Sequence, residues 1–496
     1  MGKYIQQSKG YKGSIRVRII TKKCGKTLKV EHIGVAHNEK ELKVFMELAQ
    51  DRLRDKNQLE LKFTECEQEK PTGIIHKQSY SKYLYETLEN IYKKLRISEV
   101  RDEVFKQMTI ARIISPGSKL ETIEILDDLG IESPTNTGIH RSLKNCNKKD
   151  YRRKISDGFI EFAGIKRASI LLYDVTTLYF EIGKEDEYRK SGLSKERRLE
   201  PQIVVGLLVD EKGFPLALSS FEGNKAETKT MLPILKEFRR RCNVKELTVV
   251  ADAGMMSGEN LEQLEEEGFK FIVGSRISKT PYEIEEYRRA EDEQLTDGQI
   301  FDTQKKFRSK QSQKEKQRRV VYQYRQKRAE LDLSNIREQI RKAQWQIENK
   351  VFRNKPKFLK LTQTSAMLDE GLINEARLKA GIKGYVTNLD CDAKIIIDGY
   401  HNLFKVEKSF RMTKSDLQAR PIFHQTRDKI EAHLTICFAA LGICIYIQDK
   451  TKLSIKRFVR RLSRLRTAVI EIAGQQHTAE PEIDIETKNI AKALGT

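Results

Sequence analysis

Three acidic residues stand out by where they fall: Asp174, Asp252 and Glu407. Asp174 ends the apolar run Ser169–Tyr173, and Asp252 ends the buried-strand pattern Leu247–Ala251. If those two strands are neighbours, both carboxylates come to one edge of a sheet. Glu407 lies in a helix-patterned segment, with Tyr400 seven residues before it and Lys414 seven residues after, so the three form one stripe. Breaking a phosphodiester requires an activated water or 3′-hydroxyl and stabilised charge on the attacking and leaving oxygens; two metal ions roughly 3.5–4 Å apart supply both. Hard divalent ions take oxygen ligands, so three carboxylates from separate elements suit a pair of Mg²⁺ ions, with Mn²⁺ as a substitute. Asp174 and Asp252 would bridge the metals and Glu407 would complete the second site. Taken singly, each residue has an ordinary use, as a turn or helix cap for the aspartates and as solvated helix surface for Glu407.

The elements that would position these acids follow from periodicity. Ala168 opens a strand, and Ile203–Val209 and Leu216–Phe221 read as two more, joined by the turn Asp210–Gly213. A helix over about 227–241, a strand ending at Asp252, a helix over 258–267 and a strand over 269–274 come next. That order is α/β: an RNase H-like catalytic core. Residues 278–382 interrupt it as an inserted subdomain, with a strand over 320–324 and a long polar helix around 331–350. The core then resumes with the strand Gly384–Asn388, a helix over 394–414 weakened at Gly399, and an apolar helix over 426–448.

Upstream, residues 1–75 read as a small N-terminal α/β module, a β-hairpin turning at Cys24-Gly25-Lys26 followed by a helix over 39–54. Residues 76–166 read as a helical DNA-binding module, a pattern that a packing bundle fits equally well. The core occupies 167–277 and 383–450. The last segment, 451–496, reads as a basic C-terminal tail, amphipathic over 455–472 and then polar and disordered in pattern.

Composition points to a polyanionic partner. Lys and Arg number 93 against 71 Asp and Glu, a net charge of +22, and each phosphate neutralised releases counterions. Lys305–Arg328 holds eleven basic residues and only one acid, Glu315; within it Arg318, Arg319, Arg325, Lys327 and Arg328 are candidates for phosphate contact. Seven scattered cysteines without a C-x-x-C pair argue against zinc or a disulfide framework and for a reducing cytosol. No secretory signal is visible, and the apolar run Leu434–Ile447 is shorter than the roughly 20 residues a bilayer requires, so no membrane partner is expected. Trp345 and His433 read as packing residues, and Asn224 with Glu227 as a capping box.

Tyr400-His-Asn-Leu403-Phe-Lys-Val-Glu407 and onward to Lys414 resembles the Y-x2-R-x3-E-x6-K signature of bacterial insertion-sequence DDE transposases. Tyr173–Thr177, Phe221–Glu227, Val250–Gly254 and Arg420–His424 also resemble blocks of one subgroup. The likeness spans about 112–448. It implies an RNase H-like domain with Asp174, Asp252 and Glu407 as catalytic and metal-holding residues. It also implies Mg²⁺ dependence and a homodimer acting on double-stranded DNA, both transposon ends and target, on the bacterial nucleoid. Tyr400, Arg411 and Lys414 are DNA-contact candidates. Leu403 stands where the signature carries Arg and cannot hold a phosphate, which leaves the DNA hairpin route of some relatives unassured. Two rival readings are a metal-dependent nuclease with no joining step and a transposase-derived DNA-binding protein whose catalysis has lapsed.

Overall fold

The computed structural model describes residues 2–9, 14–23, 26–54, 74–165, 168–181, 184–192, 200–226, 229–242, 244, 246–255, 257–275, 277, 281–290, 295–308, 315–349, 356–361, 365–472 and 474–495. These fall into two compact units, Met1–Gly73 and Ile74–Thr496.

In the first unit β1 (Gly2–Lys9), β2 (Ile15–Lys23) and β3 (Lys26–Ala36) form an antiparallel sheet in sequence order, and α1 (Glu39–Arg54) packs on it. Val17, Ile19 and Ala49 form its small core. The alternating residues after Ile15 pair as a hairpin; β1 adds a third strand, and the turn at Cys24-Gly25 lies outside the described residues.

The second unit opens with β4 (Ile75–Tyr80) and the helices α2 (Lys82–Lys94), α3 (Glu103–Ile114), α4 (Lys119–Asp128), α5 (Asn136–Lys148) and α6 (Tyr151–Ala163). Asp102 knits them together: its carboxylate accepts the Phe105 N–H at the start of α3 and the hydroxyls of Ser142 and Tyr151. An N-cap carboxylate that also satisfies two buried hydroxyls fixes both the helix start and the α3–α5–α6 packing.

The central sheet comes next. β5 (Ala168–Tyr179), β6 (Gln202–Asp210) and β7 (Pro215–Glu222) are antiparallel; after α7 (Met231–Cys242), β8 (Glu246–Ala251) lies parallel to β5, and after α8 (Gly258–Glu266), β9 (Lys270–Ser275) lies parallel to β8. Three antiparallel strands with two parallel strands added beside the first is the RNase H-like order the sequence predicts. Gly213, at φ +89, completes the β6–β7 turn, where Asp210 accepts the N–H groups of Lys212 and Phe214. The capping box read at Asn224 and Glu227 does not begin a helix, since α7 starts at Met231; Glu227 itself lies outside the described residues.

Beyond α9 (Tyr282–Ala290), the strands β10 (Ile300–Arg308) and β11 (Glu315–Tyr324) do not stand apart from the core. They extend its sheet through β14 (Ile382–Thr387), giving the eight-strand order β10-β11-β14-β9-β8-β5-β6-β7. Of the expected insertion, α10 (Gln326–Asn349), β12 (Leu359–Leu361), β13 (Ala366–Leu368) and α11 (Glu370–Lys379) carry a separate small core around Ile336, Phe358 and Ile373.

After β14 come α12 (Ala393–His401), α13 (Phe404–Ser415) and α14 (Arg427–Thr451). The single helix expected over 394–414 is thus two, broken at Asn402–Leu403 rather than at Gly399; the N–H groups of both break residues close three-residue turns onto Gly399 and Tyr400. α14 is long and apolar enough to cross a membrane by length and composition, yet 89% of its most apolar window is buried in this fold. It is the core helix.

The last segment is ordered, against the expectation of a disordered polar tail. Only Ile455–Leu462 of the amphipathic stretch is helical (α15); β15 (Thr467–Ile472), β16 (Gln475–Ala479) and α16 (Ile485–Leu494) follow. β15 lies between β16 and β4, so the end of the chain pairs with the start of this unit. Ile490 and Leu494 are buried in the main core, and Tyr446 and Lys94 donate to the Leu494 carbonyl.

Candidate active site

Asp174 sits in the middle of β5 and is 9% exposed. In the parallel pairing of β5 with β8, Leu171 faces Val249 and Leu172 faces Val250. Continued by two residues, that register sets Asp252, exposed just past the end of β8, beside Asp174. Neighbouring strands are about 4.8 Å apart, and residues level with each other project to the same face. Tyr173 projects to the other face, where its hydroxyl donates to Thr230 Oγ1 at 2.9 Å.

Over the Asp174 face lies α13. Glu407, in its first turn, shares with Asp174, Arg411, Lys414 and Arg420 the lining of one open pocket of about 570 Å³. Arg411 is exposed, and among the described residues it makes no salt bridge with Glu407. Lys414, the third residue of the predicted stripe, lines the same pocket from the last turn of α13. Arg420 belonged to a block noted in the sequence but not to the predicted site.

Tyr400 belongs to α12 and is 4% exposed. Its hydroxyl donates to Asp252 Oδ1 at 2.8 Å. The hydroxyl passes over Gly274 on β9, where a Cβ would lie 2.7 Å from the Tyr400 oxygen. Burial pushes the Tyr400 pKa up strongly, and the negative charge of Asp252 and Glu407 adds to it, so the phenol stays protonated and a donor. Lys383, on β14, sets its ammonium 4.3 Å from the centre of the Tyr400 ring. Burial and Arg328 hold the Lys383 pKa below the ordinary lysine value, against the opposite pull of Asp252 and Glu407. Nothing in the sequence marked Lys383 or Gly274, because both matter through neighbours on other strands.

The donor chemistry of Asp174, Asp252 and Glu407 is the hard oxygen set a divalent ion takes. Two pairwise relations are visible: Asp174 beside Asp252 by register, and Asp174 with Glu407 in one pocket. Among the described residues no three His, Cys, Asp or Glu side chains converge closely enough to hold a metal. Asp252 is engaged by Tyr400 through one oxygen, and a carboxylate bonded through one oxygen keeps further lone pairs for another ligand.

The family model of the transposase DDE domain matches residues 165–443, more than half of the chain and the whole stretch from Asp174 to Arg420. The chain belongs to the DDE transposase family. No curated protein matches it closely. Solved structures similar to this transposase include the piggyBac transposase synaptic complex with hairpin DNA, at 12% identity and a TM-score of 0.38, covering 77% of this chain and 78% of that one. Another is the Marinitoga piezophila Argonaute with a 5′-OH guide RNA, at 10% identity and a TM-score of 0.20, covering 81% and 67%.

The basic run of the transposase divides in two. Arg318 is 5% exposed, and its guanidinium grips Glu265 at 2.8 and 3.1 Å, with Lys316 on the same carboxylate. Arg319 bonds Asp302 and the carbonyls of Leu389 and Cys391. Arg318 thus ties β11 to α8, and Arg319 ties β11 to β10 and to the segment after β14, so both guanidinium groups are engaged within the fold. Arg325, Lys327 and Arg328 are exposed at the start of α10. Arg325 pairs loosely with Asp297 at 3.6 Å and Arg328 with Asp332 at 3.5 Å. Charge from Arg325 acts on His401, and charge from Arg328 on Lys383, so this end of α10 flanks the Tyr400 side of the site.

Two aromatic expectations part company. His433 is buried, with Nε2 3.2 Å from the Ala419 carbonyl, as a satisfied core histidine. Trp345 is 55% exposed on α10, so it is not a packing residue: the polar helix carries its apolar stripe through Ala329, Ile336 and Ala343 instead.

Proposed function

We propose that this transposase binds the terminal inverted repeats of its own insertion sequence, cuts a strand there in a Mg²⁺-dependent step, and joins the freed 3′ end to target DNA. The reading is carried by the parallel β5–β8 register, which continued two residues past its last pair brings Asp252 level with Asp174, and by Glu407 in the pocket that Asp174 lines. Drawn together on the ions from the separate positions they occupy here, these three carboxylates would hold two Mg²⁺ ions, or Mn²⁺ in their place. Such a pair would supply charge stabilisation for phosphodiester cleavage and joining.

The remaining roles belong to the chain's own side chains. Tyr400 orients Asp252 through its hydroxyl. Arg411 and Lys414 hold phosphate oxygens along α13, beside Arg420. Arg325, Lys327 and Arg328 track the backbone of the same DNA on the other flank. Residues 1–75 and 76–166 read the repeats, and two copies of the chain pair the two ends.

The test uses a plasmid carrying the element and duplexes cut from its borders. Asp174→Asn should abolish strand cleavage while leaving the mobility shift of an end duplex intact; retained cleavage rejects the cage. The wild-type protein should also join a precleaved labelled end to a second plasmid, and cleavage without joining would mark a nuclease.

A further inference from the structure

Lys383 is a half-buried cation to which the proposed function gives no role. It sits on β14 opposite Gln323 of β11, so both side chains share the sheet face that α12 covers. Its ammonium lies 4.3 Å from the centre of the Tyr400 ring and 6.0 Å from that of Tyr385. The Tyr400 hydroxyl reaches Asp252, so ammonium, ring and carboxylate form one row. Among the described residues Lys383 makes no salt bridge, and the buried Oε1 of its neighbour Gln323 has no hydrogen-bond partner. An ammonium is a strongly hydrated point charge, and holding it half-buried on an aromatic ring without a carboxylate in contact calls for a compensating anion. A phosphodiester supplies one.

We propose that Lys383, seated on the ring of Tyr400, whose hydroxyl bonds Asp252, grips the phosphate of the DNA strand entering the carboxylate site. The proposal rests on the DNA-cutting function above. The side-chain energetics agree with the geometry: Asp252, Glu407 and Arg328 all act electrostatically on Lys383. Arg328, at the start of α10, continues the same positive ledge outward. A fixed positive charge here has two opposed effects. It draws in a phosphodiester, and it repels a divalent cation bound to the same two carboxylates. The repulsion follows from the charge alone; the phosphate contact is what separates a DNA-gripping lysine from a structural one.

The opposition gives the experiment. Full-length wild type, Lys383→Met and Lys383→Arg are compared in two assays without catalysis. One is Mn²⁺ binding to the DNA-free protein; the other is the salt dependence of binding to a duplex taken from the border of the element. Lys383→Met should bind Mn²⁺ severalfold more tightly, and its plot of log affinity against log salt should be shallower by about 0.9, the loss of one phosphate contact. Lys383→Arg should keep the wild-type slope, which also excludes misfolding as the cause. An unchanged slope in Lys383→Met, with wild-type protein that binds both Mn²⁺ and duplex, overturns this inference alone. Wild-type protein that binds neither overturns the proposed function, and the inference with it.

Discussion

Tyr400 carries a hydrogen bond whose acceptor is a candidate metal ligand, so its hydroxyl and its ring can be separated by mutation. Tyr400→Phe keeps the ring under Lys383 and releases Asp252. A hydrogen bond to a charged group contributes about 1.5–3 kcal/mol, so single-turnover cleavage should slow by roughly 10- to 100-fold, with end-duplex affinity unchanged. Gly274→Ala places a methyl against the same hydroxyl and should reproduce that loss together with overpacking of about 1–3 kcal/mol in thermal unfolding. At this scale the sequence was readable where chemistry and secondary structure coincide, as at Asp252, which follows its apolar strand; Asp174, read at a strand end, stands inside β5, which runs on to Tyr179. The sequence was silent at Lys383 and Gly274, whose importance comes only from neighbours on other elements, and misleading at Arg318 and Arg319, where a charge run conceals two buried or tethered guanidinium groups. Leu403, 5% exposed, packs into the core, so the departure from the signature is an apolar contact.

Among the elements, α14 depends most on a buried charge. Glu431 pairs with Arg152 of α6 at 2.7 Å and accepts the hydroxyls of Tyr188 and Ser220, joining α14, α6 and β7. Burial pushes its pKa up, but Arg152 and the two hydroxyls outweigh that and hold it below the ordinary glutamate value. A carboxylate depressed by folding adds stability that is fully present above its unfolded pKa and lost as pH falls through the folded value. Glu431→Gln should therefore lower unfolding stability in urea by about 3–5 kcal/mol at pH 7, and the gap from wild type should narrow as pH is taken below the unfolded pKa. Gly442, in the same helix, faces the Phe159 ring at a distance no Cβ could occupy; Gly442→Ala should lose about 1–3 kcal/mol, measured in the same way. Helix identity was largely legible from the 3.6-residue period, while the break at Asn402–Leu403 was not, because backbone turns without Gly or Pro leave no compositional mark.

For the molecule as a whole, the succession β5 to β9 followed from sequence because the turn Asp210–Gly213 marks the β6–β7 hairpin and helices of ordinary length separate β7, β8 and β9, whereas the extension of the sheet by β10 and β11 did not. Nor did the fate of residues 451–496, since β15 gains its partner from β4, and Arg466 reaches Ser79 across 387 positions. No local pattern encodes such a pairing. Removing residues 452–496 should uncover β4 and the α2–α14 surface that α15 and α16 cover. It should drop the thermal midpoint of this unit by well over 10 °C, read by circular dichroism.

That pairing also orders events during synthesis. β4 leaves the ribosome long before β15 and waits, with its ladder groups open, until Thr467–Ile472 has followed it. Translation that halts short of residue 467 would release a product whose catalytic sheet is complete while its first helices lack their closing strand, a species exposed to proteases and to edge-to-edge association.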